Sequence, residues 1–213
     1  MGRQLFVDNF LIAESTLKRT FHQPEYCSEN PVIKHGKPGE KKRYGVYAAP
    51  FSGGICYDPA DKLFKLWYTR SRPHATCYAT STDGIGWTKP ELDVEAGTNI
   101  VINPEHGFDS CAILLDQRAK DPDERFKYFT SEAPGRFYVA YRTSADGIHW
   151  SEPKAKQNIW GDRSTAFYNP FRDVWVFSQR AEDAKGRRAR SYVEGPTAEG
   201  MMAEVRYNEL DTV

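Results

Sequence analysis

Short apolar and aromatic runs, about five to seven residues long and bounded by turn residues, recur along most of the chain, and none has the period of an amphipathic helix. Three of these runs, residues 63–68, 125–130 and 174–179, are rich in Phe, Trp, Tyr and Val. Each follows a turn that contains Asp, Asn or Pro, the residues that fix tight bends. This pattern predicts short antiparallel β-strands joined by hairpins.

The strands belong to a unit that recurs about every 60 residues. The phrase TSTDGIGWTKP at 80–90 returns as TSADGIHWSEP at 143–153. In each unit a strand of small or apolar residues precedes the aromatic strand, and the phrase follows a third strand. A third copy begins at residue 163 and then loses the pattern. Such copying predicts the blades of a β-propeller, because a sandwich does not repeat its sequence in this way.

We therefore predict an all-β fold, a single incomplete β-propeller domain over residues 1–213 with about three blades. In order, we expect an N-terminal hairpin with a leading segment, two blades, a partial blade and an atypical tail, at residues 1–52, 53–106, 107–160, 161–195 and 196–213. A closed propeller needs four or more blades. We therefore expect a truncated form or fragment of a larger propeller, whose unclosed blade edges allow self-association.

The repeated phrase is predicted to be architectural rather than catalytic. Asp83 and Gly84 make the tight turn after the third strand, since both residue types tolerate a positive φ angle. Ser81 can hydrogen-bond across that turn. Trp87 is expected to fill the apolar gap beside the next blade, as Trp150 does in the second copy.

Composition excludes some partners. The chain has 29 basic and 29 acidic residues, so no net charge attracts nucleic acid. No run approaches the roughly 20 apolar residues of a membrane span, and the N-terminus is a poor signal peptide. We expect neither a nucleic-acid nor a membrane partner. As given, the chain is expected to be cytoplasmic, or periplasmic or secreted if its N-terminus is processed.

No metal or cofactor is expected. The five histidines lack metal-ligand spacing, and no Ser-nucleophile or nucleotide-binding motif is present. The four cysteines show no C-x-x-C pair, and three of them lie in apolar runs. Buried free thiols are therefore predicted, although a disulfide stays possible.

Asp109 and Asp162 are the candidate catalytic residues. Each stands where the first strand of a blade begins, so both carboxylates are expected to face one central funnel. Glycoside cleavage requires two such acids, one as proton donor and one as base or nucleophile. The alternative is a structural role in a turn or a salt bridge, for which Arg163 is a ready partner of Asp162.

Three further residues are candidates for substrate binding: Arg163, Arg180 and His106. Arg180 ends a second strand and can hold a substrate hydroxyl or orient a carboxylate through two hydrogen bonds. A plain surface position is the alternative for it. His106 stands three residues before Asp109.

Several short motifs together resemble bacterial proteins related to glycoside hydrolase families 32 and 43. Besides the paired S-x-DGI-x-W, the motifs are QLFVDNFLI at 4–12, NPVI at 30–33, YDPADKLFKLWY at 57–68, FDS at 108–110 and GDRSTAFYNPF at 161–171. The resemblance implies a five-bladed propeller that acts on or binds glycans. It also implies acids at the inner-strand starts of three blades: a nucleophile or base, a pKa-modulating Asp and a Glu acid.

Asp109 and Asp162 match two of these implied positions, whereas the first blade offers Ser52 and Gly53 and no Glu stands in a comparable place. Two function classes follow. The first is a glycosidase that uses the two aspartates, with carbohydrate as its substrate. The second is a non-catalytic propeller that binds carbohydrate or another protein.

Overall fold

The computed structural model describes most of the chain, and its secondary structure is almost entirely β. The described residues are 8–34, 48–70, 75–103, 108–132, 137–159 and 162–206. They contain three antiparallel sheets that follow one another along the chain. Each sheet corresponds to one of the repeats in the sequence.

The first blade is a four-stranded sheet in the order β1-β2-β3-β4. Its strands are β1 (Ala48–Asp58), β2 (Leu63–Arg70), β3 (Thr76–Ser81) and β4 (Ile100–Ile102). A bulge interrupts the pairing of β1 with β2 between Ala49 and Gly54. Pairing continues on both sides of the bulge, so β1 starts at Ala48, before the small-residue run GGICY at 53–57 that predicts this strand.

The second blade repeats this arrangement in the order β5-β6-β7-β8. Its strands are β5 (Phe108–Leu115), β6 (Phe126–Glu132), β7 (Tyr138–Ser144) and β8 (Ala155–Asn158). A short 3-10 turn, Pro122–Glu124, precedes β6, and the Asp121 side chain caps it.

The third blade has three strands in the order β11-β10-β9. They are β9 (Thr165–Asn169), β10 (Val174–Glu182) and β11 (Arg188–Gly195). The inner strands β1, β5 and β9 lie next to one another in turn. This arrangement confirms the predicted fold class, an all-β incomplete propeller of about three blades.

An α-helix, α1 (Ala198–Glu204), follows the third blade, whereas the sequence predicts no helix. Thr197 caps it by accepting a hydrogen bond from the Gly200 N–H. Met201 and Met202 are fully buried in the apolar layer between the second and third blades. The prediction missed α1 because two turns are too short to show a helical period.

A second apolar layer joins the first and second blades. Trp67 of β2 is completely buried there against Tyr78 and Phe126, with ring centroids 5.6 and 5.5 Å away. Its indole N–H donates to the carbonyl of Gly147, in the second copy of the repeated phrase, at 2.7 Å. Trp67, which the sequence did not single out, therefore fills the gap between these blades.

The two tryptophans of the repeated phrase pack on the same face of their own blades. Trp150 packs at the margin of the layer between the first two blades, 5.0 Å from the Tyr128 ring. Trp87 packs against the face of the first blade that points away from this layer, on the cluster that contains Tyr68. The expectation that these residues fill the gap beside the next blade is therefore wrong for both, for Trp150 as well as for Trp87. The indole N–H of Trp87 donates to Gly84 in its own loop and so folds the ring back onto its own sheet.

The N-terminal segment up to Asn30 is a separate unit. Its described residues, from 8 onward, contain no strand. Asp8 accepts a hydrogen bond from the Phe10 N–H, and the Ile12 N–H donates to Asn9, so a turn does form at the expected place. The second arm of the predicted hairpin, residues 10–14, is not a strand, while most of the first arm lies outside the described residues.

The four cysteines are free thiols: Cys77 and Cys111 are buried, Cys56 is half-buried and Cys27 is exposed. Burial raises the pKa of Cys111 to about 12, so this thiol is unreactive at neutral pH. Among the described residues, no helix is long and apolar enough to cross a membrane.

Candidate functional site

The strand register identifies equivalent positions in the three blades. Each blade contains a row of three residues that are paired across its inner, middle and third strands, and the last residue of each row is a tyrosine. The rows are Gly54–Trp67–Tyr78, Ala112–Phe129–Tyr141 and Thr165–Ser178–Tyr192. Ser81 and Ser144, in the repeated phrase, each lie three residues after the tyrosine of their row. Tyr57 and Tyr168, in the Tyr-Asp-Pro and Tyr-Asn-Pro turns, each lie three residues after the inner-strand member. The rows therefore correspond.

Asp109 and Asp162 stand at the same distance along the chain from their rows, Asp109 in a bulge of β5 and Asp162 just before β9. They lie three residues before Ala112 and Thr165, at the end of the sheets where β1, β5 and β9 begin. We call this the funnel end. In the first blade the same count falls within the bulge of β1, between Ala49 and Gly54, where Ser52 and Gly53 also lie. The bulge in β1 shifts the alignment, because it adds residues without adding pairs.

The carboxylate of Asp109 is held by the start of the third blade. Its Oδ2 accepts a hydrogen bond from the backbone N–H of Arg163 at 2.9 Å. The Arg163 guanidinium lies 3.8 Å from the same oxygen. Arg163 is in the left-handed region, with φ 58°, so this contact fixes an unusual backbone conformation.

Asp162 is paired with two arginines of the third blade. Its Oδ1 lies 3.2 Å from Arg180 and its Oδ2 lies 3.6 Å from Arg188. The other arm of Arg180 reaches Glu182 at 2.9 Å. Arg180 thus orients a carboxylate, one of the two roles considered for it, and Asp162 pairs with Arg180 instead of Arg163.

The two aspartates are close together. Arg163, whose N–H binds Asp109, directly follows Asp162 in the chain. Standard bond lengths therefore limit the separation of the two carboxylates to about 9 Å. The carboxyl pairs of glycosidases lie about 5 to 9.5 Å apart, so this limit is compatible with either stereochemical outcome.

A third carboxylate at the funnel end, Glu132, was missed by sequence reasoning. It ends β6 and is buried, with Arg142 at 3.0 Å and a short hydrogen bond from the Tyr138 hydroxyl. Burial and the neighbouring Glu132 raise the pKa of Tyr138 to about 12. The available signal was a Glu at the end of an aromatic middle strand, whereas the predicted site residues were those at the starts of inner strands.

Arginines and hydroxyls complete the funnel end. Arg190 donates to the carbonyl of Arg163 at 2.7 Å and to Ser178 Oγ at 3.0 Å. Partial desolvation lowers the pKa of Arg190, and the charge of Asp162 offsets part of this effect. The hydroxyl of Ser110 is enclosed and lacks a hydrogen-bond partner among the described residues. His106, a candidate for substrate binding, lies outside the described residues.

This arrangement can bind a polar ligand and stabilise charge. Carboxylates that accept hydrogen bonds from N–H donors can act as bases or as electrostatic stabilisers. Guanidinium groups can bind ligand hydroxyls or anionic groups. Within the described part of the chain, no group of three or more His, Cys, Asp or Glu residues is placed to hold a metal ion.

Comparison with known proteins supports the fold and leaves the chemistry open. No protein-family model matches the sequence, and no curated protein is significantly similar to it. Among solved structures, the chain resembles an N-acetylgalactosamine deacetylase from F. plautii, crystallised with blood group B trisaccharide. The two are 16% identical over 67% of this chain and 48% of that chain, with a TM-score of 0.50.

Two glycoside hydrolases are similar at a lower level. An α-L-arabinofuranosidase from Podospora anserina is 17% identical over 71% of this chain and 49% of its own, with a TM-score of 0.46. A GH32 β-fructofuranosidase from Bombyx mori is 16% identical over 76% of this chain and 36% of its own, with a TM-score of 0.47. The chain thus spans about half, or less, of these structures. What the chain has in common with the deacetylase is its fold.

Proposed function

We propose that the funnel end binds a glycan and that Asp109 and Asp162 act there as the paired carboxylates of a glycosidase. The observation that carries this proposal is their position near the inner-strand starts of successive blades, within about 9 Å of each other. Carboxylates this close together can both face the same bound sugar ring. The resemblance to glycoside hydrolase families and the shared fold add support.

Each residue has a distinct role in this mechanism. Asp109, held by the Arg163 N–H, is the base or nucleophile at the anomeric carbon. Asp162, held by Arg180 and Arg188, stabilises the positive charge that develops on the sugar. Arg163 and Arg180 position these carboxylates and bind ligand hydroxyls beside them. The proton for the leaving oxygen must come from a further acid.

One observation favours a second candidate function, carbohydrate binding without hydrolysis. Among the described residues of the funnel end, Asp109, Asp162, Glu132 and Glu182 all accept hydrogen bonds from N–H or O–H donors. A proton donor needs instead a protonated carboxyl group or another acid. A protein that lacks this donor binds its glycan and leaves it intact.

Hydrolysis and binding can be measured on the same preparation. The purified chain is incubated with arabinan, xylan, fructan and polygalacturonate, and new reducing ends are counted. Affinity electrophoresis in gels that contain each polysaccharide reports binding. We expect Asp109→Asn and Asp162→Asn each to lower the rate at least about 100-fold while binding persists. Asp123→Asn, on the 3-10 turn at the other end of the second blade, serves as the matched control and keeps full activity.

The outcomes separate the two functions. Binding without new reducing ends supports the second candidate. Hydrolysis that is equally fast in both aspartate variants contradicts the roles assigned to Asp109 and Asp162. Absence of both binding and hydrolysis for every polysaccharide contradicts a glycan site at the funnel end.

A further inference from the structure

The outer face of the third blade differs in chemistry from the matching faces of the other two. This face is the side of β9, β10 and β11 that points away from the second blade. At its centre stands Ser178, in the position that Trp67 and Phe129 occupy in the first two blades. Those aromatic residues are buried between blades, whereas Ser178 is only half-buried. The part of this face around Ser178 is therefore polar where the other two blades are aromatic.

Arginines from two neighbouring strands converge on this outer face. Arg180 of β10 pairs in register with Arg190 of β11, and Glu182 pairs with Arg188. Because alternate residues of a strand share a face, all four side chains project to the same side. Arg188 remains 68% exposed although it lies 3.6 Å from Asp162.

The positive charge of this cluster is only partly compensated. Asp162 and Glu182 both contact Arg180. Arg190 donates to Ser178 and to the Arg163 carbonyl, and within the described residues it contacts no carboxylate. The Nε of Arg180 is enclosed and has no hydrogen-bond partner there. Glu194 also lies on this face, because it pairs with Val176, and Arg172 contacts it at 2.5 Å. Among the described residues, four guanidinium groups thus accompany three carboxylates, which leaves an excess of positive charge on the face.

An aromatic ring lies on the same face beyond the arginines. Phe167 of β9 is 40% exposed and pairs with Val176, four residues before Arg180 on β10. Strand geometry puts the two rows roughly 13 Å apart, which is more than one sugar ring spans. A chain molecule can therefore place a ring against Phe167 while an anionic group reaches the arginines.

We propose that the outer face of the third blade binds an acidic glycan, a chain that carries uronate carboxylates or sulfate esters, and leads it to Asp162. The proposal rests on the proposed function in that it takes the ligand to be a glycan. Asp162 lies between the outer face and the funnel end. Arg180 and Arg188 contact it from the outer face, and it stands three residues before Thr165, where the pairing of β9 begins.

Binding of defined polymers to single-residue variants tests this proposal. The probes are polygalacturonate for carboxylates, heparin for sulfates, arabinan as a neutral glycan and polyglutamate as an acidic peptide. We expect polygalacturonate or heparin to bind at least about tenfold more tightly than arabinan, with an affinity that falls as salt rises. Arg188→Gln and Arg190→Gln are each expected to weaken that binding about five- to tenfold.

Arg187→Gln is the matched control. Arg187 neighbours Arg188, is 72% exposed and pairs with Asp183 in the hairpin, away from the cluster. We expect this variant to bind like the wild type, and thermal unfolding of each variant shows that it is folded. A loss in Arg187→Gln equal to that in Arg188→Gln overturns the proposal, since it indicates a nonspecific charge effect.

Further outcomes distinguish this proposal from the proposed function. Asp162→Asn removes a negative charge from the cluster, so we expect it to bind acidic glycans at least as tightly while any hydrolysis is lost. Acidic binding without hydrolysis therefore contradicts only the enzymatic function. Equal binding of arabinan and polygalacturonate overturns only the acidic preference. Polyglutamate that binds as tightly as polygalacturonate overturns the glycan assignment in favour of an acidic peptide.

Discussion

Two glycines in the repeated phrase show how one residue can have different consequences in two copies. Gly84 and Gly147 both have a positive φ, 77° and 81°, and both turns are closed by the same Ser and Asp hydrogen bonds. A Cβ on Gly84 meets nothing within 4 Å. A Cβ on Gly147 lies 2.5 Å from the Trp67 ring. Both positions therefore need a residue that tolerates a positive φ, and only Gly147 must also lack a side chain to leave room for Trp67.

We therefore predict that Gly147→Ala destabilises the protein more than Gly84→Ala. Gly84→Ala costs about 1 kcal/mol, because alanine is disfavoured at a positive φ. Gly147→Ala adds a clash with a fully buried indole and costs about 3 kcal/mol in total. Urea unfolding of both variants gives the two free energies. Equal losses contradict the packing of the second phrase against Trp67.

At the scale of elements, the loop after β7 is tied to the first blade through His149. Its two ring nitrogens lie 2.7 Å from Asp146 and 2.9 Å from Asp93 of the first-blade loop. Hydrogen bonds that the ring donates to these two carboxylates raise the pKa of His149. Burial raises the pKa of Asp146, but bonds from His149, Ile148 and Ser144 outweigh it and lower the value to about 2.

We predict a pH-dependent contribution of His149 to stability. Because its pKa is higher in the folded state, the contribution is complete below about pH 6 and is lost as the pH rises through the raised pKa. The groups are solvent exposed, so the expected size is only about 0.5 kcal/mol. This contribution is measured as the difference in unfolding free energy between the wild type and His149→Gln from about pH 5 to about pH 9. The two limits lie about one unit below and above the range in which a histidine of raised pKa titrates.

Asp93→Asn completes a double-mutant cycle for this contact. The coupling between the two substitutions should be present at the acidic end and absent at the basic end. A coupling that does not change with pH argues against a charged bridge between the two loops.

At the scale of the whole molecule, a buried ionic network holds the first two blades together. Asp58 is fully buried and binds Lys65 at 2.9 Å and Arg125 of the second blade at 2.7 Å. Burial raises the pKa of Asp58, but hydrogen bonds from Lys65 and the Ala60 N–H, with the nearby positive charges, outweigh it and lower the pKa. What the sequence shows as a turn residue is thus also a link between blades.

We predict that Asp58→Asn lowers the free energy of unfolding by about 3 kcal/mol, because it breaks a buried ion pair, takes a carboxylate from Arg125 and leaves the buried Lys65 with Asp61 alone. Asp61→Asn is the matched control: it removes the exposed partner of the same lysine, 2.6 Å away, and costs at most about 0.5 kcal/mol. The lowered pKa means that the Asp58 contribution is present above about pH 4 and is lost as the pH falls through the folded-state value.

Acid titration therefore checks the same network. As the pH falls from about 7 to about 2, the unfolding free energy should fall more steeply for the wild type than for Asp58→Asn. These limits lie about two to three units either side of an ordinary Asp pKa. Parallel curves for the two proteins contradict the assignment of Asp58 as an ionised link.

Local features explain how much of the fold and the site was predictable. Aromatic strands and Asp-Gly turns depend on neighbouring residues, so the sequence predicted the inner, middle and third strands of every blade. The strand β8, with the sequence AKQN, is too short and polar to be recognised. Glu132 was missed because its significance depends on Arg142 and Tyr138, which reach it only when β6 pairs with β7.

By itself, the sequence determined the repeat period, the strand and turn types, and the choice of Asp109 and Asp162 as candidates. All of these depend on residues close together in the chain. Only the tertiary structure decided that Trp67 fills the gap between blades, that Asp58 binds Arg125, and that Arg163 holds Asp109. These contacts join residues on different blades or different strands. Their partners are set by how the blades pack, which no local pattern encodes.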